Sequence, residues 1–120
     1  MNKLLFSSVV ISTILSLQFS AFAQSLPRLR RNMNYAQART LLIRRGWQPV
    51  VNSEQVNNRV PGSTIDYLIK KGYTEIDDCS GTGLGLCLFH FRNSRGQNLF
   101  VSTANNQSGE ESTIYGWRVE

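Results

Sequence analysis

The sequence predicts an α+β domain in the order α-β-α-β-β-β-β, with two helices on one face of a mainly antiparallel sheet. Three observations predict it. A helix–glycine–aromatic–strand unit occurs twice: Leu42-Ile43-Arg44-Arg45-Gly46-Trp47-Gln48-Pro49-Val50 returns 26 residues later as Leu68-Ile69-Lys70-Lys71-Gly72-Tyr73-Thr74-Glu75-Ile76. The apolar residues before each glycine recur at helical spacing and share one face, as helices packed on a sheet require. Beyond the second copy the chain reads as short strands separated by turn signals.

The first helix is predicted over residues 35–45. Asn34 supplies an N-cap with Gln37 three residues on. Tyr35, Ala38 and Leu42 fall on one face, with Arg39 in the middle of it. Basic residues in the last turn suit the negative pole of the helix, and Gly46 takes the left-handed cap without a Cβ clash. A first strand follows at 47–51 and a polar connection at 52–61. Ser63 with Asp66 opens the second helix, residues 64–71, whose Ile65, Leu68 and Ile69 face the sheet. Strands are predicted at 73–78 and 86–92. Asn93-Ser94-Arg95-Gly96 is a hairpin turn leading into a strand at 97–103. Residues 104–111 are loop-like. Thr113, Tyr115, Trp117 and Val119 alternate and predict a last strand with one apolar face. The first two strands are joined through a helix, so they are expected to run parallel in a right-handed crossover.

Residues 1–23 carry the three parts of a secretory signal: Lys3, an uncharged stretch rich in leucine, and Ala21-Phe22-Ala23 where a signal peptidase cuts. A membrane anchor is the competing reading, but serines, threonine and glutamine dilute the stretch. The expected plan is a signal peptide at 1–23, a basic N-terminal arm at 24–33 and a single domain at 34–120. It implies a periplasmic or secreted product with no membrane span left after cleavage. In such a compartment Cys79 and Cys87, the two cysteines, are expected to form a disulfide. A hairpin centred near Gly83 sets them opposite each other. The same register puts Asp77 beside Phe89, a conflict that a bulge among the glycines would relieve.

Arg39 stands where the repeat has Ile65. It either snorkels to water or pairs with a carboxylate, for which Asp77 and Asp78 are the candidates by chemistry. Residues 24–53 hold six arginines, Arg39, Arg44 and Arg45 among them, and no acid. Such a run is ordinarily a solvated face, but guanidinium groups also suit phosphate and carboxylate partners. Outside the cytoplasm nucleic acid is an improbable partner; anionic lipid or an envelope polymer is more natural. His90 is the one histidine, and Glu75, Asp77 and Asp78 are the acids near it in sequence. No ligand spacing joins them, so no metal or cofactor is expected. Gly81-Thr82-Gly83-Leu84-Gly85 lacks the lysine of a P-loop and precedes a strand, not a helix. It reads as a stapled turn that presents Thr82, Leu84 and Leu86. No nucleophile elbow is present, and pairing removes both thiols, so no catalytic residue is assigned.

On Asn34-Tyr35-Ala36-Gln37-Ala38-Arg39, Gly46-Trp47-Gln48-Pro49 and the run from Gly72-Tyr73-Thr74-Glu75-Ile76 through Cys79-Ser80-Gly81-Thr82-Gly83 to Phe91, the chain resembles a family of small exported proteins of Gram-negative and cyanobacterial type. The resemblance spans Tyr35 to the C-terminus. It implies export and a shared fold, and it carries no catalytic residue across. The expected function is therefore a non-catalytic binding or inhibitor-like module whose partner is an envelope protein or an anionic polymer. Two alternatives stand beside it. One is a small hydrolase or metal-dependent enzyme using His90 with nearby acids. The other is a structural envelope protein that holds anionic surfaces through its arginines.

Overall fold

A computed structural model describes residues 25–120; the expected signal peptide lies outside them. The α+β class and its antiparallel sheet are as predicted. The elements are α1 (Tyr35–Arg44), β1 (Gln48–Pro49), α2 (Ser53–Asn58), α3 (Thr64–Lys70), β2 (Ile76–Cys79), β3 (Cys87–Arg92), β4 (Asn98–Ala104) and β5 (Thr113–Val119). β3, β4 and β5 form an antiparallel meander.

Both copies of the repeat end in the same hydrogen bonds. Gly46 N–H donates to Ile43 O and Trp47 N–H to Leu42 O; Gly72 N–H donates to Ile69 O and Tyr73 N–H to Leu68 O. This is the Schellman pattern. It needs a left-handed residue after the helix, and Gly46 and Gly72 supply it at φ 90° and 94°. The predicted caps also form. The Asn34 side chain accepts from Ala36 N and Gln37 N, and the Ser63 hydroxyl accepts from Asp66 N.

The strands that follow the two caps do not lie side by side. β1 pairs with β3 through Gln48–Arg92 and Pro49–Phe91, and β2 pairs with the same β3 through Ile76–Phe89, Asp78–Leu88 and Cys79–Cys87. They run in one direction, end to end, along one edge of β3. The expected crossover between neighbouring parallel strands is thus corrected. Proline at position 49 has no N–H to give a ladder, which suits a short strand at a sheet edge. The junction falls at His90, whose C=O accepts from Val50 N and whose N–H donates to Glu75 O.

Three further expectations change. The connection at 52–61 contains α2, which Asn52 caps through Gln55 N. It buries no residue, so no apolar period marks it. The bulge in the β2–β3 hairpin falls at Asp77, between Ile76 and Asp78, and not among the glycines. It seats Ile76 beside Phe89 and leaves Asp77 exposed. In β5 a second bulge follows Ile114, so Ile114 is buried and Tyr115 is exposed, while Trp117 and Val119 pair with Val101 and Leu99 and stay exposed. An extra residue shifts the phase of alternation, and a strict period of two then misassigns the face.

One core joins all layers. Tyr35, Ala38 and Leu42 of α1, Leu68 and Ile69 of α3, and Trp47 pack against Ile76, Phe89, Phe91, Leu99, Val101 and Ile114 of the sheet. The arm completes it with Leu29 and Met33. Asn32 N–H donates to Ile114 O and Ile114 N–H to Met33 O, each at 2.7 Å, so the arm covers the start of the free edge of β5.

Candidate functional site

The loop between β2 and β3 is held at its base three times. The Cys79–Cys87 disulfide closes it, Ser80 N–H donates to Leu86 O at 2.7 Å, and Asn106 Nδ2 donates to Gly85 O at 3.0 Å. Asn106 is buried, and Thr103 locks it by donating Oγ1 to Asn106 Oδ1 and accepting Asn106 Nδ2 at its carbonyl. Within the loop Gly85 N–H donates to Thr82 O, and Gly83 and Gly85 take φ of 64° and 61°. Between these two glycines Leu84 stands at the tip, 68% exposed. A cavity of about 390 Å³ opens beside the loop, bordered across from it by Thr64, Asn105, Gln107 and Glu110. The lining is neutral hydroxyl, amide and peptide groups apart from Leu84 and Glu110. Asn106 had no sequence signal, because one asparagine in the polar stretch 104–111 is indistinguishable from its neighbours.

Arg39 is the second site. It is paired, but with Glu75 and not with Asp77 or Asp78. Arg39 Nε lies 2.6 Å from Glu75 Oε1 and Nη2 3.4 Å from Oε2, while the Tyr35 hydroxyl donates to Oε1 at 2.7 Å. The Glu75 side chain is wholly buried and that of Arg39 is 26% exposed. Burial opposes the Arg39 charge, but the hydrogen bond and charge of Glu75 outweigh it and the guanidinium is held more firmly protonated. Burial first, then the Glu75 carboxylate, push the Tyr35 hydroxyl well above the usual phenol range. Tyr35 therefore stays a donor. Its ring stacks on Phe89 at 4.2 Å and meets Tyr73 edge-on at 5.0 Å. With all three polar groups satisfied internally, the cluster is a structural clamp between α1 and β2.

His90 faces away from that core. Its ring stacks on Phe100 at 4.6 Å, and the Arg118 guanidinium lies over the same ring at 4.8 Å. His90 Nε2 is 2.7 Å from Asn98 Oδ1, which also accepts from Arg92 Nε. Arginine only donates, so that amide atom is oxygen and Nε2 carries the hydrogen. A cleft of about 300 Å³ at the β1–β2 junction brings His90 together with Asp77, Ser53 and Glu54. Among the described residues the His90 ring bonds to Asn98 and to none of these three side chains.

The candidates named from sequence thus disperse. Asp77 and His90 share a cleft. Asp78 is exposed opposite Leu88, where its carboxylate accepts from Cys79 N. Arg39 sits in the buried clamp, and Arg44 and Arg45 are exposed at the far end of α1. Among the described residues no three of His, Cys, Asp and Glu group as metal ligands, and no helix is long and apolar enough to cross a membrane. Comparison with family models, curated proteins and solved structures returns no match.

Proposed function

We propose that this is an exported binding module, inhibitor-like in design, whose contact element is the stapled loop at residues 80–86. The observation that carries it is Leu84: a large apolar side chain held in water at the tip of a loop anchored by a disulfide and a buried asparagine. A loop ordered before it binds loses little conformational freedom on binding, so its contacts appear as affinity. A leucine between two left-handed glycines is a knob for an apolar pocket on an envelope protein, and the neutral cavity beside it offers polar contacts at the rim. The disulfide supports export through the signal peptide at 1–23, since such bonds persist in oxidising compartments.

The cleft shared by Asp77 and His90 favours a second reading, a small hydrolase that draws on His90. One experiment separates the two. Protein of residues 24–120 is immobilised and challenged with an envelope extract, alongside Leu84→Ser and His90→Ala. The loop reading expects a partner retained by the parent and His90→Ala but lost with Leu84→Ser. Retention unaffected by Leu84→Ser would sink it, and loss confined to His90→Ala would move the contact to the cleft. Fractionation of cells making the full chain, with N-terminal sequencing of the product, tests export. A product that still begins at Met1 in the cytoplasm would overturn it.

A further inference from the structure

The end of β3 away from the disulfide collects arginines from three parts of the chain. α1 closes at Arg44 and its cap Arg45. Three residues on, Gln48 pairs with Arg92, and Gly46 and Gln48 border the same groove as Arg92, Asn93 and Ser94. Arg95 stands on the turn that follows. The arm reaches the same end, because Arg45 Nη1 donates to Ser25 Oγ at 3.2 Å. From there it runs back beside α1 to the cap at Asn34, burying Pro27 and Leu29 and turning Arg28 outward.

Arg28, Arg44, Arg45, Arg92 and Arg95 are all exposed, and none takes part in an ion pair among the described residues. Glu120 is the acid brought to this end, by its backbone pairing with Asn98, and Arg118 engages its carboxylate at 2.8 Å. The opposite end carries the stapled loop with Asp77, Asp78 and Glu110 around it. β3 rises about 3.3 Å per residue, so its six residues set the two ends roughly 17 Å apart.

We propose that the arginine end seats on an anionic phospholipid surface and holds the stapled loop away from it. Charge complementarity names the chemistry: guanidinium forks match phosphate oxygens, and among the described residues no acidic side chain pairs with these five arginines. The path of the chain favours a lipid source for that phosphate. The described fold begins at Ser25, against Arg45, so before cleavage the uncharged stretch at 4–22 is joined to the domain at this same end. The disulfide argues in the same direction, because it belongs to compartments where nucleic acid is not the phosphate at hand. The seat is electrostatic. α1 packs its apolar face into the core, and only its end meets the surface. The seat stands independently of what the loop contacts.

Co-sedimentation of residues 24–120 with vesicles tests it; these residues contain every element and core side chain described above. Vesicles enriched in phosphatidylglycerol should retain the protein and phosphatidylcholine vesicles should not, with retention falling as salt rises. Each arginine near an anionic surface strengthens partitioning about fivefold, so Arg44→Gln with Arg45→Gln should weaken it roughly 25-fold, and Arg92→Gln with Arg95→Gln by a similar factor. Leu84→Ser should leave it unchanged. Near-ultraviolet circular dichroism confirms that each variant is folded. Equal retention on both vesicle types, indifference to salt, or folded variants that bind like the parent would overturn the proposal. So would release from the vesicles by a DNA duplex at equal phosphate concentration, which would make nucleic acid the occupant.

Discussion

The two copies of the repeated unit have the same backbone and different jobs. Each ends a helix in the same pair of capping bonds, on a left-handed glycine, and feeds a strand to the same edge of β3. They differ most where they are complementary. The first copy has Arg39 where the second has Ile65, and the second has Glu75 where the first has Pro49. Arg39 and Glu75 are the pair that meets in the core. Each unit's departure from the other is thus answered by its partner's departure. The lesson is that a local motif is set by short-range sequence, whereas its exceptions report contacts between copies.

The largest effect should come from breaking that complementarity. Glu75→Leu leaves the Arg39 charge and the Tyr35 hydroxyl without their acceptor. Removing one partner of a buried pair costs about 3 kcal/mol or more, a fall in Tm of roughly 12–24 °C for a domain of this size. Adding Arg39→Ile, the residue of the other copy, together with Tyr35→Phe should return most of the loss, because no polar group is then left unpaired. Thermal unfolding of the single and triple variants decides it. A single variant as stable as the parent would show that the pair does not clamp the units.

A smaller effect sharpens the likeness. Gly72→Ala places a Cβ at φ 94°, where nothing lies within 4 Å of it. The cost is conformational alone, about 1 kcal/mol. Urea unfolding should show that loss with an unchanged slope. A neutral result would mean that the cap relaxes away from the left-handed conformation.

The smallest effect separates the copies by pH. Asp66 accepts from Gly62 N–H, Lys70 and Arg59 at the start of α3. The Gly62 N–H bond, then Lys70 and Arg59, lower its carboxyl from 3.8 to about 2. A lowered folded-state value means that the ionised form stabilises the fold. That stabilisation is complete above about pH 4 and is lost as pH falls toward 2. The matching position of the first copy is Thr40, which carries no charge. Amide exchange measured between pH 5 and 2 should therefore show α3 loosening before α1. Simultaneous loss of both helices would contradict the distinction.

Much of the fold was legible because its signals are local. Caps at Asn34 and Ser63, glycines after the helices and the turn at 93–96 each act within a few residues, and their helices and hairpin fall where expected. The cysteine pairing was legible for a related reason, since a short hairpin leaves little freedom in register. The site was less legible. Arg39 was singled out correctly as an anomaly on an apolar face, but its partner was assigned by charge and proximity in sequence. Asp77 and Asp78 carry the same carboxylate group as Glu75. Only the bulge at Asp77 and the packing of Tyr35 on Phe89 decide which carboxylate is turned inward.

The sequence by itself determined α1 and α3, their caps, the stapled loop and the α+β class, because propensity, capping and alternation are short-range. Tertiary structure alone decided that β1 and β2 share one edge of β3, that Glu75 answers Arg39, and that Asn106 braces the loop. It also gathered Arg44, Arg45, Arg92 and Arg95 at one end. Each of these depends on contacts between residues far apart in the chain, where bulges reset which face a side chain takes and where burial selects the one acid whose charge is matched.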